Sequence, residues 1–306
     1  NQLDFYYNGN TFAFYSGSAD NTLKKIDLSG NEVWTFDNQA NGNLDGHTSI
    51  VGSVTIGSDG HIYTGSWDNT MKKIDPYGNH VWTFTGHTDR VKGVAIDSSN
   101  NVYTASRDNT VKKIDPDGNE VTSGGWPFTG HTNNVTGIAF DSNTGYVYTA
   151  SHDNTVKKID SNGNEVTTGG WPFTGHSGIV SSVAVDSNGN VYSGSYDNTV
   201  KKIDSSGNEV WTFNGHTSSV YCVAVDSNGN VYSGSQDGIV KKIDSNGNEV
   251  TTGGWPFTGH TNGIYSVAVD LTGYVYSASD DDTVKKIDPN GNEVTSGGWP
   301  FSGHTD

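Results

Sequence analysis

Apolar residues along this chain alternate with polar ones over short runs. They do not recur at the three- and four-residue spacing of an amphipathic helix. Over residues 180–213 the runs VSSVAV, VYSGS, TVKKI and EVWTF are separated by DSNGN, by Tyr196-Asp197-Asn198 and by DSSGN. Short alternating runs between Asn-, Asp-, Ser- and Gly-rich clusters predict four strands joined by tight turns, with Asn-Gly and Ser-Gly pairs supplying positive φ. The unit recurs. KKID occurs seven times, starting at Lys24, Lys72, Lys112, Lys157, Lys201, Lys241 and Lys285. A Gly-His pair also occurs seven times, at His47, His87, His131, His176, His216, His260 and His304, with spacings of 40, 44, 45, 40, 44 and 44. The longer spacings come from a TSGG or TTGG insert before a tryptophan (EVTSGGWPF against EVWTF), and one further residue falls in the turn at 141–146.

A four-stranded repeat of about 40–45 residues is the length of one propeller blade. Seven of them can close a ring that shelters the sheet edges. The expected fold is therefore all-β: a seven-bladed β-propeller with four antiparallel strands per blade, each blade contiguous in sequence, residues 1–306 forming one domain. Blade one lacks a preceding Gly-His, and Gly303-His304 is an extra copy at the other end. Aligning Asn8-Gly9-Asn10 with the SNGN turns places Asn1 five positions after a missing histidine, while Asp306 stands two after a present one. The two ends are thus expected to meet at the seam between the last blade and the first.

The order Gly-His, about twenty residues, S-x-D and a strand ending in Asp resembles the WD-repeat family over essentially the whole chain. The family pairs its histidine with a hydroxyl and an aspartate. The resemblance implies this network at His47, Thr64 and Asp68; at His87, Thr104 and Asp108; at His216, Ser233 and Asp237; and at His304, Ser16 and Asp20. One departure is uniform: the Trp of Trp-Asp is isoleucine in every blade, Ile26 and Ile203 among them, and tryptophan stands in the fourth strand instead, as at Trp34, Trp82 and Trp211. In that respect VYSGSxDxxVKKIDxxGNEVW resembles the repeat of quinoprotein dehydrogenase propellers. No unique acidic-plus-amide constellation and no vicinal cysteines accompany it, so no cofactor is expected.

His, Ser and Asp in one blade also have the composition of a catalytic triad. Seven copies suit a structural staple better than an enzyme, because function resides in unique sites, and no catalytic residue is assigned. Turns such as Asp115–Asn119 resemble oxygen-rich calcium loops but lack EF-hand spacing, and no metal site is expected. The two lysines of each KKID should point to opposite faces of the strand: one into solvent, the other along the tryptophan face. Lys73 is expected across from Trp82 if Tyr77-Gly78 form a two-residue turn.

Against this uniformity, one position differs in all seven blades. The residue before the turn aspartate is Ala19, Trp67, Arg107, His152, Tyr196, Gln236 and Asp280. Two others vary nearly as much: three after the histidine (Ile50, Arg90, Asn134, Ile179, Ser219, Gly263) and five after it (Gly52, Lys92, Thr136, Ser181, Tyr221, Tyr265). The family resemblance implies that these lie together on the top face, around the central channel, where partners bind. Trp, Tyr and Arg, the residues that dominate binding hot spots, are among them. The expected ligand-binding set is Trp67, Arg107, His152, Tyr196, Gln236, Asp280, Arg90, Lys92, Tyr221 and Tyr265. A protein or peptide is the leading ligand, a glycan stacked on Trp67, Tyr196, Tyr221 and Tyr265 is the alternative, and a structural spacer is the third reading.

Composition narrows the classes further. Only 32% of residues are hydrophobic, but 11% are aromatic and evenly spread, as an ordered β protein requires. The net charge of −17 disfavours nucleic acid and anionic membranes as partners. Fourteen of the seventeen cations lie in the seven Lys-Lys pairs, so no basic patch is expected. No apolar run spans a bilayer, no signal peptide is recognisable, and the start at Asn1 is what a processed or excised chain would show. The single Cys222 excludes an intramolecular disulfide and a cysteine-based zinc cluster. Such a composition is compatible with an extracellular or surface-exposed setting.

Overall fold

Blade five shows how the sequence pattern becomes structure. Its strands are Val180–Val185, Val191–Ser195, Val200–Ile203 and Glu209–Phe213, within one residue of the alternating runs. The computed structural model describes residues 2–7, 12–38 and 45–304, and the predicted Asn8-Gly9-Asn10 turn lies outside them. Seven antiparallel sheets, each of consecutive strands, follow one another along the chain, and no helix occurs among the described residues. The first strand of each blade lies beside the first strand of the next, and the last blade's first strand, Ile264–Val269, lies beside Gln2–Tyr7. The chain thus folds as a seven-bladed β-propeller.

Blades one, two and five carry the expected fourth strand. In blades three, four, six and seven the fourth segment is held only at its ends, by bridges such as Val111↔Phe128 and Ile114↔Glu120. These are the blades with the insert. Proline at Trp-Pro offers no N–H to a ladder, and the two inserted glycines turn outward to the neighbouring blade. Gly125 N donates to Asn162 O at 2.7 Å. A Cβ on Gly124, whose φ is +70°, would meet the same carbonyl oxygen at 2.4 Å, so only glycine allows so close an approach.

The core lies between blades. One apolar cluster joins Tyr192, Val200 and Phe213 of blade five to Val220, Val223, Val231 and Ile243 of blade six. Another crosses the seam, joining Leu3, Phe14 and Ile26 to Tyr276, Val284 and Trp299. The second strand of each blade from two to seven is buried along its whole length, so it lacks a solvent face. A single blade cannot bury these surfaces alone, which is why the unit must repeat.

The relocated tryptophan stitches the blades at their outer rim. Trp82 Nε1 donates to Pro116 O of the next blade at 3.2 Å, Trp171 Nε1 to Ser205 O at 3.2 Å, and Trp299 Nε1 closes the ring on Leu28 O at 3.0 Å. Lys73 pairs with Trp82, with its ammonium between the Tyr63 and Trp82 rings and 3.4 Å from the same Pro116 carbonyl. The turn is longer than two residues, since Asp75 N bonds Asn79 O, and a bulge after Lys73 absorbs the difference. The first lysine corrects the expectation of a solvated partner. Lys24, Lys72, Lys201 and Lys241 are buried. Lys201 Nζ donates to Glu209 and Thr212 of the fourth strand, whereas in blade two His80 replaces the glutamate and Lys72 holds Thr83 alone.

Candidate functional site

Two sets of residues occupy the face where the S-x-D turns lie. The first is the staple. His216 lies with Nδ1 2.9 Å from Asp237 and Nε2 2.8 Å from Ser233. The corresponding distances are 2.9 and 2.7 Å at His47 to Asp68 and Thr64, and 2.7 Å for both at His87 to Asp108 and Thr104. With a carboxylate on one side, Nδ1 carries the proton and Nε2 accepts from the hydroxyl. Across the seam, His304 makes the same contacts to Asp20 and Ser16, each at 3.0 Å. The aspartate also accepts the backbone N–H that follows the histidine and, in most blades, a threonine two residues on. For Asp197 the partners are His176, Ser177 N, Thr199 N and the Thr199 hydroxyl. Blade six has Ile239 in place of that threonine, so Asp237 takes only its backbone N–H.

Burial alone would raise the pKa of Asp197, but the bonds from His176 and Thr199 outweigh it and hold the carboxyl well below the usual range. Asp20, Asp68 and Asp108 are lowered in the same way, while burial pushes His47 down. The Ser and Thr hydroxyls of the staples are wholly buried.

The second set is the variable one, and the backbone explains why its members meet. In each of blades two to seven, the N–H of the residue before the turn aspartate donates to the carbonyl of the residue three after the histidine. Examples are Trp67 to Ile50, Arg107 to Arg90, Tyr196 to Ile179 and Asp280 to Gly263. The residue five after the histidine is the extra residue of a β-bulge. In blade five Val180 pairs with Ser195 and Ser182 with Gly194, leaving Ser181 out of the ladder. Gly52, Lys92, Thr136, Tyr221 and Tyr265 stand out of register likewise. A bulge re-aims its side chain, and here all six residues line one cavity.

That cavity, about 140 Å³, is the channel mouth, and its wall also includes Arg107, His152, Ile179 and Tyr196. A second cavity of about 170 Å³ continues below it and shares Lys92, Thr136, Ser181 and Tyr221. Of the ten ligand-binding candidates, six line the mouth: Lys92, Arg107, His152, Tyr196, Tyr221 and Tyr265. Trp67 and Arg90 stand beside it, with the Arg90 guanidinium 4.0 Å from the Trp67 ring centroid. Asp280 is tied to Tyr265. Gln236 lies outside the cavity lining, exposed and bonded to Ser218. The mouth has two sectors. Tyr196, Tyr221 and Tyr265 form a continuous aromatic row: Tyr221 stacks on Tyr265 with ring centroids 4.8 Å apart, and Tyr196 tilts against Tyr221 at 5.5 Å. The other sector holds the cations around Trp67. The sequence places these four residues on one expected ring, but their convergence on a single indole departs from the expectation of no basic patch.

The turn aspartates resembling calcium loops have their oxygens occupied internally. Asp186, for example, accepts from Asn188, Asn190 and Tyr192. Among the described residues, no three His, Cys, Asp or Glu side chains converge as metal ligands would.

Comparison with known proteins agrees with this architecture. The sequence profile of the WD domain, G-beta repeat family matches residues 38–75, 78–115, 121–160, 163–204, 207–244 and 247–288, well over half of the chain. Among solved structures, the WD40 β-propeller domain of Doa1 superimposes with a TM-score of 0.77 at 22% identity, covering 92% of this chain and 91% of that one. At that identity the likeness concerns the fold alone. No curated protein matches the chain.

Proposed function

Because the chain belongs to the WD-repeat family of β-propellers, a fold that generally serves as a protein-interaction scaffold, we propose that it is a non-catalytic recognition module binding a protein or peptide at the channel mouth. One observation carries this reading. The three positions that vary most between otherwise near-identical blades are the three that backbone bonding and bulges gather around one opening. Drift would scatter variation evenly over the exposed surface, whereas the outer hairpins vary chiefly by the shared insert and at two turn residues. The mouth offers exposed aromatic surface at Tyr196 and Tyr265 beside fixed cations, a combination typical of protein-binding hot spots.

The stacked tyrosines favour a second reading, a glycan laid on their faces. Affinity capture from the native source, comparing the protein with a Trp67→Ala/Tyr221→Ala/Arg107→Ala variant, tests the first reading. A partner retained by the protein and lost by the variant supports it. A partner retained equally by both, or binding on a glycan array abolished by Tyr221→Ala alone, overturns it.

A further inference from the structure

Fourteen of the seventeen cationic residues belong to the repeated Lys-Lys pairs, which leaves Arg90, Lys92 and Arg107. In a ring this large, three leftover charges could lie anywhere. All three lie on blade three, facing one indole of blade two: Arg90 at 4.0 Å, Lys92 at 4.7 Å and Arg107 at 6.0 Å from the Trp67 ring centroid. The molecule around them carries a net charge of −17, yet among the described residues none of the three makes an ion pair.

Their hydrogen-bonding capacity is also unspent. The half-buried Lys92 side chain lines the channel wall, where burial and the neighbouring guanidinium groups push its pKa down to about 8, and no acceptor among the described residues reaches its ammonium. Arg107 Nε and Trp67 Nε1 are buried donors without partners. Gly52 makes this arrangement possible, because a Cβ there would meet Trp67 Nε1 at 3.0 Å. Buried donors normally find acceptors, and three cations packed together repel one another. Such violations of local rules mark functional sites.

Resting on the proposed reading of this face, we infer that Arg90, Lys92 and Arg107, with the Trp67 indole N–H, form an oxyanion site that takes the side-chain carboxylate of an acidic peptide. Guanidinium and ammonium donors match a carboxylate by charge-assisted hydrogen bonds. The tyrosine stack across the mouth then meets the neighbouring apolar residue of that peptide.

The test follows the Trp67 indole N–H resonance in protein labelled with 15N-tryptophan, assigned by Trp67→Phe. The probes are N-acetyl-glutamyl-tyrosinamide and its glutaminyl analogue at constant ionic strength. The glutamyl compound should shift the resonance saturably. The glutaminyl analogue, and the glutamyl compound with Lys92→Met, should bind at least about tenfold more weakly. Lys92→Met should melt no lower than the parent, since it removes a half-buried cation that stands beside two guanidinium groups, so lost binding will not reflect lost folding. Equal shifts from both analogues would overturn the oxyanion site while leaving a peptide-binding face intact. Absence of any shift would also overturn it, with the capture experiment deciding the broader reading separately.

Discussion

Replacing Asp197 with alanine removes the acceptor at the centre of one staple and exposes what the staples contribute. The carboxylate receives four hydrogen bonds, from His176 at 2.8 Å, Ser177 N at 3.0 Å, Thr199 N at 3.0 Å and the Thr199 hydroxyl at 2.6 Å. These partners are not equally harmed by its loss. The His176 side chain is wholly shielded from solvent, so its stranded Nδ1–H costs about 2 kcal/mol as a buried donor once bonded to a charge. Ser177 N sits at the surface and recovers a bond to water, and the two Thr199 groups recover in part, adding about 1 kcal/mol. The total is about 3 kcal/mol. For a chain of this length the unfolding entropy is about 0.6 kcal/mol/K, so the melting temperature should fall by about 5 °C. Blade six supplies the control. Asp237 is buried to a similar degree but accepts no threonine hydroxyl, so Asp237→Ala should cost about 0.5 kcal/mol less. Differential scanning calorimetry on both variants reads the two values. A melt of Asp197→Ala within about 1 °C of the parent, or an Asp237→Ala variant as damaged as Asp197→Ala, would refute this account of the staple.

Three further outcomes are expected. The Asp197 carboxyl is held below its ordinary range when folded, so the stability it contributes is whole above an unfolded pKa of about 4 and is lost as pH falls through the folded value. The melting gap between the parent and Asp197→Asn should therefore narrow only below about pH 4, and a gap that widens with acid would contradict the sign. His304→Ala severs the side-chain link from blade seven to Ser16 and Asp20, so hydrogen exchange should accelerate in blades one and seven before blade four; uniform acceleration would deny a seam at that place. Burial pushes the Cys222 thiol up to about 12, so a disulfide reagent near pH 8 should leave the folded protein unmodified and label it in urea, and stoichiometric labelling without denaturant would show the thiol to be accessible.

The strands were legible in the sequence because alternation is a local pattern, and the staples because a hydroxyl four residues before an aspartate recurs seven times and matches the WD-repeat resemblance. Two features were misjudged for want of cross-strand register. Lys201 faces Thr212 and Lys202 faces Trp211, so the first lysine meets the glutamate and threonine of the outer strand rather than water. The TSGG insert was visible as a length difference, but its role, reaching the next blade's turn, depends on how neighbouring blades sit. The variable ring was found by comparing blades. The gathering of Arg90, Lys92 and Arg107 on Trp67 was not, since it requires the bulge that turns Lys92 into the channel and the backbone bond that sets Arg107 beside Arg90.

The bulge has a consequence for how such a ring can change. A ladder residue must satisfy its cross-strand neighbour and the blade behind it, so most substitutions there disturb the packing. The bulged position has no partner in the ladder, although the Thr136 and Ser181 hydroxyls bond carbonyls across the strand and in the next blade, and within this one chain it already accepts side chains from none at Gly52 to the phenol of Tyr221 and the ammonium of Lys92. Only at Gly52 does a neighbour, the Trp67 indole, occupy the space a side chain would need. The other five sockets around the opening form an interchangeable alphabet whose letters can be rewritten one at a time while the frame that displays them keeps its shape.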